Sequence, residues 1–106
     1  MRAAIYQAAG TVTVEDVPDA ALVEPTDAVV QVLRSCICGS DLWSYRGIVT
    51  RAAGGRQGHE FLGVVTDVGA EVTTVRPGDL VVSPFTWSDN TCPACAEGLQ
   101  LSLIHI

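Results

Sequence analysis

The 106-residue chain contains no lysine, so its six basic residues are all arginines, and they face twelve acidic residues. The net charge is therefore −6 at neutral pH, and the arginines form no basic cluster. Proteins that bind nucleic acids concentrate Lys and Arg side chains against the phosphate backbone. This charge balance argues against a nucleic-acid partner.

Long apolar runs are also missing, and the first residues do not resemble a leader segment. No stretch of about 18 apolar residues occurs, which argues against a membrane-spanning helix. The first residues, Met1 to Tyr6, lack the apolar core and cleavage site of a signal peptide. We therefore expect a cytoplasmic protein with no membrane partner. In that compartment the four cysteines are expected to be thiols or metal ligands rather than disulfides.

What is present is enough apolar sequence for a core, arranged in short β-prone segments. Hydrophobic residues make up 48% of the chain, and its length suits one domain. Strands are predicted at residues 1–6, 11–17, 27–33, 61–68 and 80–85, with 27–33 well buried, a short helix at 40–45 and a loop at 47–58. Several short strands joined by turns, with little helix, indicate a mainly β, barrel-like domain.

Two glycines carry local predictions. Gly63 interrupts the strand predicted at 61–68, which indicates a bulge or a close approach of another backbone. Pro77 and Gly78 suit the second and third positions of a turn in which the glycine has a positive φ.

Two segments contain the side chains that zinc favours. The first runs from Cys38 to Asp41 (CGSD), and the second from Gly58 to Glu60 (GHE). Each pairs a thiol or an imidazole with a carboxylate that could orient a ligand. Cys38 and His59 are 21 positions apart (59 − 38), so only the fold can bring them together. This arrangement indicates a catalytic half-site rather than a closed structural site.

These motifs resemble those of the zinc-dependent medium-chain alcohol dehydrogenases, in their N-terminal GroES-like domain. The family pattern is Gly-His-Glu, two residues, Gly, five residues, Gly, two residues and a small aliphatic residue. The chain meets it from Gly58 to Val72, with Gly63 and Gly69 in place. The resemblance covers about residues 1–100, and it implies a partly open, GroES-like β-barrel with a short helix that lacks the Rossmann domain.

The resemblance also implies roles for five residues. Cys38 and His59 would be two of the three protein ligands of a catalytic zinc, with Glu60 as a neighbouring residue or an alternate ligand. Ser40 would accept the proton of the alcohol, although a serine here could equally cap the helix. Asp41 would hydrogen-bond the ring of His59 and fix its tautomer. The alternative is that Cys38 is a small buried residue and His59 a satisfied turn histidine.

Some neighbouring positions depart from the family or leave alternatives open. Many members have a histidine five residues after the ligating cysteine to pass the proton to water. Trp43 stands at that position, and an indole cannot accept a proton to relay it. Trp43 and Tyr45 either line an apolar substrate wall or pack in the core. Arg51 and Arg56 either meet an anionic substrate group or are solvated surface charges.

A second, incomplete zinc site is predicted near the end of the chain. Many members of the family bind a structural zinc through Cys-x2-Cys-x2-Cys-x7-Cys, and the matching positions are Asp89, Cys92, Cys95 and Leu103. Asp89 is a tolerable ligand and Leu103 is not, so the set is short of four ligands. A redox dithiol is the alternative, but no strand–helix–strand pattern supports it. Cys36 matches no ligand position and is predicted to be a packed core thiol.

The last six residues are expected to be a non-native tail. Residues 101–106 match one reading frame of a common sequencing-adapter end, so His105 is given no functional role. The predicted domain therefore spans residues 1–100.

The function that the resemblance implies is hydride transfer between a small alcohol or carbonyl substrate and NAD(P), with Zn2+ as the metal. The Gly-x-Gly-x-x-Gly fingerprint of a dinucleotide site is absent from the chain, so NAD(P) is expected in the complete enzyme only. We expect that enzyme to be a homo-oligomer and the 106-residue chain alone to be inactive. Two alternatives are a zinc-free reductase of the quinone-reductase type and a non-catalytic β-barrel binding module.

Overall fold

A computed structural model gives the fold and describes residues 1–85, 88 and 91–99. Within these residues the elements are, in order, β1 (Arg2–Ala8), β2 (Thr11–Asp16), β3 (Ala28–Ser35), α1 (Asp41–Tyr45), β4 (Gly55–Arg56), β5 (Phe61–Val68), β6 (Leu80–Val82) and α2 (Pro93–Ala96). The prediction of a mainly β fold with a short helix is confirmed, and the second short helix, α2, was not predicted. Neither described helix approaches the length and apolar character that crossing a bilayer requires.

The first sheet has the strand order β2-β1-β4, and its neighbouring strands are antiparallel. Its central strand, β1, supplies Ile5 and Tyr6 to the core, where each is 4% exposed. The predicted loop 47–58 is wrong in one detail, because Gly55–Arg56 forms β4 and pairs with the same two core residues. A pairing of two residues leaves no periodic pattern in the sequence.

The second sheet has the order β3-β5-β6 and is also antiparallel. Gly63 in β5 faces β3 so closely that a Cβ there would overlap the Val30 side chain and lie 2.7 Å from the carbonyl oxygen of Gln31. The register of the β3–β5 ladder also shifts between Val32 and Arg34, opposite this region. The close approach predicted from Gly63 is therefore present, and it lets the two strands pair up to the edge where the candidate site lies.

Two predictions for this sheet are wrong. The strand predicted at 27–33 is not well buried: Val32 is 53% exposed, because β3 is an edge strand and the described residues leave most of its apolar run uncovered. The strand predicted at 80–85 ends at Val82. The N–H of Ser83 still donates to the carbonyl of Phe61 at 2.9 Å, but Pro84 has no N–H with which to continue the ladder.

The described strands form two separate three-stranded sheets rather than a closed barrel. Between β5 and β6 the predicted turn is confirmed, since Gly78 has a φ of 97° and the N–H of Asp79 donates to the carbonyl of Arg76 at 3.1 Å.

Among the described residues, Val65 in β5 is the most deeply buried hydrophobic side chain, at 1% exposed. The small core thus lies on the inner strands, and the link between β3 and α1 and the residues just before β5 are left near the surface.

Candidate metal centre

Three potential metal ligands converge at one end of the second sheet. Cys38 lies in the link between β3 and α1, while His59 and Glu60 immediately precede β5. Because β3 and β5 are paired antiparallel, the end of one meets the beginning of the other. One ligand atom from each of the three side chains lies within 4.8 Å of the other two, and each residue is partly buried.

The donor set of this trio (Cys38, His59 and Glu60) suits zinc. A sulfur, an imidazole nitrogen and a carboxylate oxygen are its preferred ligands, at about 2.0–2.3 Å from the ion. Two ligands of one tetrahedral zinc lie roughly 3.3–3.8 Å apart at these bond lengths, so ligand atoms that all lie within 4.8 Å of one another could reach a shared ion after small side-chain movements. Three protein ligands also leave a fourth tetrahedral position open, as in catalytic zinc sites. The approach of Cys38 and His59 expected from the sequence is met by the geometry, and their role as ligands stays a prediction.

Asp41 lies where it can orient the trio. Its Oδ1 is 3.5 Å from Nδ1 of His59, and its Oδ2 accepts a hydrogen bond of 3.0 Å from the backbone N–H of Cys38. The side chain is only 11% exposed, so solvent competes weakly for these contacts. A carboxylate beside Nδ1 favours the tautomer protonated there and leaves Nε2 of His59 available for a metal.

The hydroxyl of Ser40 faces the other side of the same ring. Its Oγ lies 3.5 Å from Nε2 of His59. Ser40 occupies the N-cap position of α1, but its side chain makes no capping hydrogen bond, so the interpretation of this side chain as a helix cap is wrong. The backbone of Ser40 is already helical, which directs the hydroxyl away from the first turn and toward the imidazole.

The prediction that Cys36 is a packed core thiol is wrong. The residue is exposed, and its thiol donates a hydrogen bond of 3.0 Å to Oε2 of Glu60. The backbone explains this placement, because the Cys36 N–H also donates to the Glu60 carbonyl at 3.3 Å and extends the β3–β5 pairing by one step. The Glu60 carboxylate raises the pKa of the Cys36 thiol, mainly by accepting this hydrogen bond, so the thiol stays protonated as a donor.

Two residues around the site were not identified from the sequence. Gln57 donates a hydrogen bond of 2.8 Å to Asp41, and the ring of Phe85 meets that of His59 edge-on, with centroids 5.4 Å apart and an interplanar angle of 78°. A polar residue directly before the GHE motif was a usable signal for Gln57. The sequence contained no signal for the contact of Phe85, because this residue lies 26 positions beyond His59 (85 − 59) in an irregular segment.

The two aromatic residues of α1 are both exposed. Trp43 is 59% and Tyr45 42% exposed, so packing in the core is the wrong interpretation for both. Tyr45 lines an open cavity of about 590 Å³ between the two sheets, together with Asp41, His59 and Glu60. The cavity therefore borders the candidate site.

The cysteine pair near the end of the chain is built locally. Cys92 is the N-cap of α2, and its sulfur lies 3.3 Å from that of Cys95 and accepts the Cys95 N–H at 3.4 Å. Cys95 is buried, at 7% exposed. The other two predicted positions of this lobe, Asp89 and Leu103, lie outside the described residues, as do 101–106 with His105.

Comparisons with known proteins show what this chain is similar to. Residues 24–102 match the family model of the alcohol dehydrogenase GroES-like domain. The chain is 45% identical to a medium-chain reductase/dehydrogenase of Acremonium sp over 99% of its residues, and 40% identical to a zinc-type alcohol dehydrogenase B of Aspergillus flavus over 94%. Among solved structures, an alcohol dehydrogenase from Thermus sp. ATN1 superimposes on 95% of the chain with a TM-score of 0.86 and 40% identity.

The chain spans only part of each of these relatives. It covers 36% of the Acremonium protein, 23% of the Aspergillus protein and 29% of the Thermus chain. The similarity therefore concerns one domain of these longer proteins.

Proposed function

Because this chain belongs to the alcohol dehydrogenase family, in which it corresponds to the GroES-like domain, we propose that it is part of a zinc-dependent NAD(P)-linked dehydrogenase. That enzyme oxidises small alcohols or reduces the matching carbonyl compounds by hydride transfer. The observation that carries the proposal is the convergence of Cys38, His59 and Glu60, whose ligand atoms lie within 4.8 Å of one another.

We assign the trio as the zinc ligands that this chain supplies. A zinc ion there would act as a Lewis acid that makes the hydroxyl of an alcohol more acidic. Cys38 and His59 would hold the ion, and Glu60 would serve as a further or alternate ligand. A binding module with no catalytic role has no need of this combination with Asp41 and Ser40 beside it.

Two neighbouring side chains complete the proposed chemistry. Ser40 is the acceptor for the alcohol proton, because its hydroxyl lies beside the metal-facing nitrogen of His59. Asp41 is a positioning residue, which acts through Nδ1 of the same ring. Trp43 cannot pass the proton onward, so either the proton would leave through water or a hydroxyl of the bound dinucleotide, or this relay is absent.

The dinucleotide and the second zinc site are proposals of the same kind. NAD(P) would bind a part of the enzyme that this chain does not contain, since no dinucleotide fingerprint occurs in the sequence. Cys92 and Cys95 would contribute to a structural zinc lobe with Asp89. The cytoplasmic location and the homo-oligomeric state of the complete enzyme also stay predictions.

The proposal is tested by metal binding to the purified 106-residue chain, with Co2+ as a spectroscopic probe for zinc. We expect a thiolate-to-cobalt band, and we expect His59→Asn to weaken Co2+ binding more than about 100-fold, beyond the 10–100-fold typical of outer partners. His105→Asn, the same change at the other histidine, is the matched control and should have no effect.

Two results would contradict the proposal. Absence of a cobalt band in wild type would favour the zinc-free reductase or the binding module, and unchanged Co2+ affinity in His59→Asn would assign the bound metal to a site other than the trio. NAD-linked alcohol oxidation by the purified chain alone would contradict the expectation that hydride transfer needs the rest of the enzyme.

A further inference from the structure

A chain of hydrogen bonds connects the first sheet to the candidate metal centre. Nη1 of Arg51 donates to Oε1 of Gln57 at 2.8 Å, and Nε2 of Gln57 donates to Oδ1 of Asp41 at 2.8 Å. The same Oδ1 lies 3.5 Å from Nδ1 of His59. We infer that Gln57, braced by Arg51, is a positioning residue that holds Asp41 and thereby fixes the tautomer of the His59 ring.

The order of donors and acceptors in this chain allows one arrangement only. A guanidinium offers donors alone, and an ionised carboxylate offers acceptors alone. An amide between Arg51 and Asp41 must therefore present its oxygen to the arginine and its NH2 group to the aspartate. Gln57 has this orientation, so its side chain has no second orientation that satisfies both neighbours.

Gln57 and Arg51 are both held in place by contacts with the first sheet. The backbone N–H of Gln57 donates to the Ala4 carbonyl in β1 at 2.8 Å. Arg51 lies over the ring of Tyr6, with its guanidinium carbon 5.7 Å from the centroid, and its Nη2 donates to the carbonyl of Arg56 at 2.6 Å. Because Tyr6 is 4% exposed, the arginine rests on a rigid surface. Arg51 is thus an exposed charge with a fixed place in the structure.

The carboxylate of Asp41 needs this support because it serves two neighbours at once. Its Oδ2 is held by the N–H of Cys38, so Gln57 fixes the remaining oxygen in the direction of His59. Without Gln57 the carboxylate could turn about its side-chain bonds, and the preference for a proton on Nδ1 of His59 would weaken. The consequence for metal binding rests on the proposed function, whereas the consequence for the tautomer does not.

The test compares four single variants in the complete 106-residue chain. Gln57→Leu removes both hydrogen bonds, Gln57→Glu places a carboxylate against Asp41, and Arg51→Lys retains a donor. Gln7→Leu is the matched control, since Gln7 also bridges polar side chains but lies on β1, bonded to Thr13 and Glu15. The readouts are the His59 tautomer, from ring-nitrogen NMR of the metal-free chain, and the Co2+ affinity.

We expect wild type, Gln7→Leu and Arg51→Lys to keep mainly the tautomer protonated at Nδ1. Gln57→Leu should give a mixture of tautomers and lower the Co2+ affinity about tenfold, at the weak end of the range for outer partners. Gln57→Glu should lower it further, because two carboxylates then face each other. Thermal unfolding checks that each variant is folded. If Gln57→Leu does not fold, Gln57→Glu, which keeps the size of the side chain, tests the role of Gln57 instead.

The two hypotheses can fail separately. If Gln57→Leu and Gln57→Glu both keep the wild-type tautomer, Gln57 is not a positioning residue, whatever the metal does. If the tautomer changes as expected but wild type binds no Co2+, the inference about Gln57 stands and the proposed metal centre is wrong.

Discussion

Cys38 meets its neighbours through the pairing of two strands, whereas Cys92 meets Cys95 within one short turn of helix. In the trio, the partners come from 21 and 22 positions further along the chain (59 − 38 and 60 − 38). In the second region the two sulfurs are 3.3 Å apart at a spacing of three residues, and the backbone of α2 itself holds them. The comparison shows that the trio depends on tertiary structure and the cysteine pair on local structure.

The largest expected effect separates the two regions by their metal chemistry. Cys38→Ser should reduce Co2+ binding at the trio more than about 100-fold, because it removes the thiolate ligand, and should abolish the charge-transfer band of that site. Cys92→Ser is the matched control and should leave the band of the trio in place. Absorption titration of both variants checks this, and the reverse pattern would assign the metal centre to the cysteine pair.

The next effect tests whether the trio alone depends on the β3–β5 ladder. Gly63→Ala should destabilise the fold by about 1–3 kcal/mol, because its Cβ would overlap Val30 and approach the Gln31 carbonyl. Metal affinity at the trio should fall with it, while the alkylation rate of Cys92 and Cys95 stays unchanged.

Urea unfolding measures the stability of this variant. Gly39→Ala is the control for it, since a Cβ at Gly39 meets nothing within 4 Å and should cost little. Equal losses in the two variants would contradict the steric explanation. A parallel change in the reactivity of the cysteine pair would show that the pair also depends on the ladder.

The smallest effect concerns the thiol beside the trio. Cys36→Ala removes the hydrogen bond to Glu60, and we expect Co2+ affinity to fall about two- to fivefold, as suits the loss of one modest hydrogen bond at an exposed site. Cys36→Ser keeps a donor and should stay close to wild type. A gain in affinity for Cys36→Ala in calorimetric titration would mean that the thiol competes with the metal for Glu60.

Some parts of the fold could be read from local sequence. Alternating apolar residues predicted β2, and the Pro77–Gly78 pair predicted a turn that the structure contains, because both patterns act over a few neighbouring residues. Gly63 indicated a close approach of another backbone, because a residue without a side chain leaves room for one. The burial of β3 was predicted less well, because it depends on which elements cover the strand. The length of β6 was predicted too long, although Pro84, which cannot continue the ladder, is visible in the sequence.

The residues of the candidate site also fall into those that the sequence predicts and those that it does not. Cys38, His59 and Glu60 could be proposed from two motifs whose residue types zinc prefers. The roles of Cys36 and Gln57 could not be predicted, because they come from contacts with residues 24 and 16 positions away, respectively. A polar residue before the GHE motif could single out Gln57 but not identify its partner. No periodicity or composition reports such contacts.

By itself the sequence determined which chemical groups are present: a thiol, an imidazole and carboxylates in two short motifs, and a pair of cysteines three residues apart. It also determined a mainly β backbone. Only the tertiary structure decided which of these groups meet. The pairing of β3 with β5 brings the trio within 4.8 Å, and the anchoring of Gln57 to β1 directs Asp41 toward His59. The physical reason is that side-chain chemistry belongs to single residues, whereas the distance between side chains far apart in sequence is set by backbone pairing elsewhere.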